Sequence, residues 1–476
     1  MAATSSPGGP AYEALLPRQP AVPCCSKRSW RILISDFVYW QIRVGIWLMG
    51  LILGYRNYEP KPDSLALCVH TNGMGHVIQM LRILDVLNAA SIRVSLITIP
   101  VREKIPQHFL VSLREKVGPD TEIVDLNHEV HYDDNNGAGI NNLAVVLEAG
   151  WKIFGPDGWR TVRQCLNLLM KHKPQVCLSL WDPHLPLMID AFGAKTSILQ
   201  VATQAIMYED GRGHDLVLDM LYLLNVSRKG ELLPLVFSPQ PGSMPIVCEV
   251  PPLLPSEPYL VAYSCMPSVL TPLSAIKTHK VVLFAKNVEK WADYYKDCPN
   301  VSVQPVGATF QLALAKSSGL IASPSPGAVI QALGCAKPCY LFIPPGHLEQ
   351  TCNYNYYTKH FIGVASPLTE NIEGWADRAL AAPLQVDANT AKACLNAAVG
   401  GKRLEASQAP PMLAQAYRVR DWLNLFDDAA HRTLIRSLRR LQAPAGACGR
   451  VSVSAPSAVA VDKWPAASVA PGAQQV

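Results

Sequence analysis

The stretch 70-HTNGMGHVIQMLRIL-84 decides how the chain is read. Upstream, "SLALCV" (64–69) is a short apolar run rich in strand formers. Downstream, Val77, Met80, Leu81, Leu84 and Leu87 fall on one helical face. Strand, tight glycine turn and helix N-terminus therefore follow one another. Such a junction offers backbone N–H groups and the positive end of a helix dipole to whatever lies above the sheet. Gly73 and Gly75 allow a ligand close to the main chain, and His76 opens the helix. "GMG" is only part of a dinucleotide fingerprint: Ile78 stands where a third glycine belongs. The next strand, "RVSLITIP" (93–100), ends without an acid to hold a ribose. The chain has no GxxxxGK[ST], which excludes P-loop chemistry.

Outward from this junction the pattern alternates. Strand-like runs "LALCVH", "RVSLITIP", "TEIVDL", "QVCLSLW" and "TSILQVA" are separated by amphipathic stretches such as "WRTVRQCLNLLMKHKP". That order predicts a doubly wound parallel sheet over residues 62–255. "PPLLPSEP" (251–258) is a proline-rich break, after which the alternation restarts with "YLVAYSC", "KVVLFAK", "VSVQPV", "SGLIAS" and "PCYLFIP". The expectation is α/β: a second Rossmann-like domain over 256–400, facing the first across a cleft, then helices over 401–442. Residues 1–28 and 443–476, rich in Ala, Pro and Ser, are expected to lack structure.

Of the 476 residues 49% are hydrophobic and 17% charged, so the body is folded. A net charge of +5 without a concentrated basic face speaks against nucleic acid as a partner. The cysteines Cys68, Cys165, Cys177, Cys248, Cys265 and Cys339 lie inside apolar runs and read as reduced core residues. Residues 29–58 contain an apolar segment interrupted between Phe37 and Tyr55 only by Gln41 and Arg43. The uncharged part, Val44–Tyr55, is shorter than the roughly 20 residues a span needs. With Arg43 included, spanning costs roughly 2.5–3.5 kcal/mol on insertion scales. Lys27, Arg28 and Arg31 precede it, and Trp40, Trp47 and Tyr55 are interfacial residues. The segment reads as a membrane-associated helix with the body on the cytosolic side, the alternative being a buried core helix.

A second constellation lies in "SGLIASPSPGAVIQALGCAKPCYLFIPPGHLEQTCNYNYYTKHFIGVA" (318–365). A strand ends at Ser323, Ser325 is an N-cap, Pro326 suits the first helical position and Gly327 leaves room at the helix mouth. A helix, a strand and a loop, "PPGHLEQ" (344–350), follow. A helix N-terminus facing a cleft suits an anion, and the carboxylate and amide of the loop suit sugar hydroxyls.

Strand–"GxGH"–helix in the first half, then "Q-A-L-G-x-x-K-P" and "E-Q-x-x-N" in the second, resembles GT-B glycosyltransferases. The similar branch is the one containing the bacterial lipid-linked N-acetylglucosaminyltransferase of peptidoglycan synthesis, over roughly residues 62–400. The resemblance implies a nucleotide-sugar co-substrate, no cofactor, a lipid or lipid-linked acceptor, and a membrane setting. By position it implies donor contacts from Ser325, Gly327, Gln331, Glu349, Gln350 and Asn353, with Gly73, Gly75 and His76 on the acceptor side. Four departures stand out: Gln331 replaces a ribose-binding acid, Ala328 a hydroxyl residue, "SPSPG" a glycine-rich approach, and Gln79 an arginine.

No D-x-D motif offers a metal site, so leaving-group charge would fall to the helix mouth at Ser325–Gly327. His76 is the first candidate base. Asp182, ending "QVCLSLWD" (175–182), is the second. Each also has a bland role, His76 as a cap or packing residue and Asp182 as a cap before Pro183. A non-catalytic GT-B protein binding a partner or nucleotide, and a nucleotide-sugar epimerase or hydrolase, are the competing functions.

Overall fold

The computed structural model describes residues 27–71, 74–105, 107–128, 155–202, 230–237, 243–264, 266–307, 309–345, 347–381 and 411–442. Gly73, residues 129–154 and the segments 1–26 and 443–476 lie outside them; Lys27 and Arg28, expected to lack structure with the rest of 1–28, open a helix instead.

Two separate parallel sheets form the body. The first contains β1 (Leu65–Val69), β2 (Val94–Ile99), β3 (Glu122–Asp125), β4 (Val176–Leu180), β5 (Ser197–Ala202), β6 (Gly230–Val236) and β7 (Met244–Pro245), in the order β3-β2-β1-β4-β5-β6-β7. The second contains β8 (Leu260–Tyr263), β9 (Val281–Ala285), β10 (Val301–Pro305), β11 (Gly319–Ala322), β12 (Cys339–Leu341) and β13 (Val364–Ala365), in the order β10-β9-β8-β11-β12-β13. Every strand β1, β4, β11 and β12 is buried along its length, as covered parallel strands are. In each sheet the order reverses once, between β1 and β4 and between β8 and β11. Those are the places where open α/β sheets hold ligands.

Strand alternation builds the cores. Leu65, Leu67 and Val69 face helix α2 (Met74–Ala89), which contributes Val77, Met80 and Leu84. Ala66 and Cys68 face the other way, against α3 (Pro156–His172) and α4 (His184–Phe192). Helix α1 (Lys27–Ile52) also lies on that side, resting Tyr39, Ile46 and Met49 on the domain. Cys68, Cys165, Cys177 and Cys339 are buried free thiols, and burial pushes the Cys165 thiol up.

The halves are joined by packing as well as by chain. Phe237, just after β6, lies with its ring 5.5 and 5.1 Å from those of Tyr356 and Tyr357 in α6 (Leu348–His360). The C-terminal helix α7 (Pro411–Asn424) begins against α5 (Pro326–Gly334) of the second domain, where Arg420 Nε donates to the Gly334 carbonyl at 2.7 Å. It then returns to the first domain, where Trp422 Nε1 donates to the Val236 carbonyl at 3.0 Å; Asp427, in the short helix that follows, pairs with Arg82 at 2.5 Å.

Candidate functional site

On the first domain, α2 begins at Met74, so Gly75 and His76 belong to its first turn rather than to a preceding loop. A Cβ at Gly75 would meet no atom within 4 Å, so the space over this turn is open. The His76 ring stands edge-on to His70, centroids 5.9 Å apart. Its Nδ1 is buried and has no hydrogen-bond partner, while the Gln79 side chain, one turn on, favours the protonated ring. Burial lowers the His76 pKa, and the Glu349 carboxylate of the second domain partly opposes that shift. His76 and Glu349 are thus electrostatic neighbours across the junction.

On the second domain, Ser325 has the extended backbone of an N-cap (φ −76°, ψ 140°), and Pro326 is the first helical residue. Gly327 is exposed, and a Cβ there would also meet nothing within 4 Å. Beside this helix mouth stands the N-terminus of α6. The sequence reading placed Glu349 and Gln350 in a loop; they lie instead in the first helical turn of α6, with His347 as its N-cap. The His347 pKa is lowered by burial, with Glu349 opposing. Gln350 is buried, its Nε2 directed at Met266 Sδ (3.8 Å) beyond the end of β8, and its Oε1 has no partner. Asn353 donates from Nδ2 to the Pro324 carbonyl at 3.2 Å, which ties α6 to the approach to α5. Unpaired buried polar atoms are costly in a folded chain. Two of them are on His76 in α2 and on Gln350, next to Glu349 in α6.

Gln331 has a different neighbour from the one its motif position implied. Its Nε2 donates to the Glu249 carbonyl, 2.9 Å away, in the segment connecting the sheets. Lys337 Nζ donates to Ser256 Oγ at 2.8 Å, and burial pushes its pKa down to about 8. Arg420 holds the Pro251 carbonyl, and a Cβ on Gly334 would come within 2.6 Å of Val250. Much of "Q-A-L-G-x-x-K-P" therefore clasps the interdomain segment. A glutamate at 331 would set a carboxylate against the Glu249 carbonyl.

Asp182 is fully buried at the β1/β4 crevice. Trp181 before it has φ 61°, a left-handed conformation that costs a bulky residue roughly 1–2 kcal/mol. Strain of this kind concentrates at functional sites. The Asp182 carboxylate accepts from the His184 backbone N–H at 2.9 Å and from His184 Nδ1 at 2.5 Å. With that tautomer, His184 Nε2 accepts from His128 Nδ1, 2.8 Å away. Asp182 thus orients a histidine pair, and no hydrogen bond joins it to His76 among the described residues. Sequence reading missed His184, His128 and His347; the one available signal was "DPH" (182–184), a carboxylate two residues before a histidine. Two cavities, of about 330 Å³ beside Arg432, Arg436 and Glu231 and about 500 Å³ beside Arg160 and Arg163, lie away from these residues.

No protein-family model matches the sequence, and no curated protein matches it. Solved structures do match in three dimensions. Arabidopsis thaliana UGT89C1 complexed with quercetin overlaps at TM-score 0.50 and 10% identity, covering 80% of this chain and 100% of that one. The same protein complexed with UDP overlaps at TM-score 0.50 and 9% identity, with the same coverage. Acinetobacter baumannii MurG overlaps at TM-score 0.42 and 13% identity, covering 78% of this chain and 100% of that one. Two parallel α/β sheets, each with its own crevice, in the arrangement of the two UGT89C1 structures, give the chain the GT-B fold.

Proposed function

We propose that the protein is a metal-independent, inverting glycosyltransferase moving a sugar from a nucleotide sugar, UDP-linked, to a lipid or lipid-linked acceptor at a membrane. The observation that carries this reading is the electrostatic interaction of His76 in one domain with Glu349 in the other, with unsatisfied buried polar atoms on His76 and on Gln350 beside Glu349. UDP in a structure of the same fold supports the choice of donor. The lowered pKa keeps His76 neutral near pH 7, as a general base must be. His76 takes the proton of the acceptor hydroxyl, the acceptor oxygen bonds to the anomeric carbon, and the carbon–phosphate-oxygen bond breaks. The departing nucleoside diphosphate carries the electron pair, its charge met by the N–H groups and dipole at Ser325–Gly327. Glu349 and Gln350 hold the sugar hydroxyls.

Gln331, committed to the linker, favours the second reading, a GT-B protein that binds without turnover. A panel of nucleotide sugars tests both. The full chain should show a raised Tm with at least one UDP-sugar and, with a lipid-phosphate acceptor, release UDP. A shift without UDP release supports the binding protein; no shift with any nucleotide sugar overturns both.

A further inference from the structure

Helix α1 is long and apolar enough over Ile32–Ile52 to cross a membrane. Its packing argues for a different arrangement. One face is built into the first domain. Arg43 Nε lies 3.3 Å from Asp190 Oδ2, Arg43 also donates to the Asp190 carbonyl at 2.9 Å, and Tyr39 Oη donates to Asp190 Oδ2 at 2.6 Å. Asp190 is 1% exposed, so these two residues of α1 are what compensate its buried charge. Nearby, Gly50 sits flush against the Phe192 ring, where any Cβ would overlap it. Tyr55, beyond the helix end, packs tilted against the same ring, centroids 4.2 Å apart.

The opposite face is bare. Leu33, Phe37, Trp40, Trp47, Leu48 and Leu51 repeat at helical spacing and are 44–61% exposed. They form one stripe along a helix of 26 residues, about 39 Å long. Aromatic residues recur along its whole length instead of gathering at two ends, as befits an axis lying at a single depth. Basic residues bracket the stripe in sequence: Lys27, Arg28 and Arg31 at the start, and exposed Arg56 four positions past the end.

We infer that α1 lies in the plane of an anionic membrane surface, clamped to the first domain through Asp190, and does not span. The occupant of the bare face is a lipid bilayer, chosen by the basic residues at both ends of an apolar, aromatic stripe. Spanning would pull Arg43 and Tyr39 away from Asp190 and strand its carboxylate. The inference specifies the membrane part of the function proposed above; it does not depend on catalysis.

Two readouts on the full-length protein test it. In flotation with phosphatidylcholine vesicles containing phosphatidylglycerol, the protein should bind. Binding should weaken on removal of the anionic lipid, and Phe37→Glu with Trp47→Glu should reduce the bound fraction at least tenfold without lowering Tm. In sealed vesicles from expressing cells, epitopes at residues 1 and 476 should be equally open, or equally closed, to added protease. One epitope shielded and the other cleaved means that α1 spans and overturns the inference. So does a soluble dimer that ignores vesicles, which makes a second copy the partner of the stripe. An inactive protein that still floats leaves it standing and counts only against the transferase.

Discussion

Glu349→Ala is expected to weaken donor binding by roughly 10- to 150-fold. In the function proposed above the carboxylate accepts hydrogen bonds from sugar hydroxyls, and charge-assisted bonds contribute about 1.5–3 kcal/mol, at 1.4 kcal/mol per decade. Its own fold needs it less. Glu349 occupies the first turn of α6, where a carboxylate gains from the helix dipole about 0.3–1 kcal/mol. Tm should therefore move little while the dissociation constant moves a great deal, as calorimetric titration of both proteins with a UDP-sugar would read. A large loss of Tm with unchanged donor affinity would make Glu349 a helix-capping residue and nothing more.

His76→Ala should lower kcat by 10²- to 10⁴-fold, the usual contribution of a positioned base. The wild-type pH profile carries a finer signature. A base must be unprotonated, and burial sets the His76 pKa below the ordinary 6.5. The acid limb of kcat should thus fall below that value. Glu349 raises the same pKa, so Glu349→Gln, assayed at saturating donor, should move the limb to lower pH still. A variant in the second domain shifting the titration of a residue in the first is what their electrostatic interaction demands. The linkage to stability has the matching sign. The unfolded chain protonates this histidine near 6.5 while the folded chain resists, so stability present above that pH is lost as pH falls through it. An unmoved acid limb in Glu349→Gln would mean that the catalytic base is another residue.

The strands most plainly written in the sequence are those richest in apolar residues. Leu65–Val69 and Val176–Leu180 are covered on both faces, and their composition says so. β6 hid behind Pro234, which lacks the N–H a ladder uses, and β7 and β13 have two residues each, too few for any periodicity. The N-cap position of Ser325 was legible because Ser-Pro before an apolar run is a local signal, although its hydroxyl makes no capping hydrogen bond. The linker contact of Gln331 was not, since it joins residues 82 apart in the chain. Likewise, the Asp182–His184–His128 chain needs β3 and β4 brought to the same end of a sheet. Nothing in "HEVHYDD" alone announces that.

Hydrogen–deuterium exchange on the full chain, with and without a saturating UDP-sugar, tests the placement of the donor site most directly. Slowed exchange in residues 325–331 and 347–353, with a smaller effect at 75–79, is the predicted result. Protection elsewhere, for example around Arg432 and Arg436 beside the smaller cavity, or no protection despite measurable binding, would contradict a donor site between the two sheets.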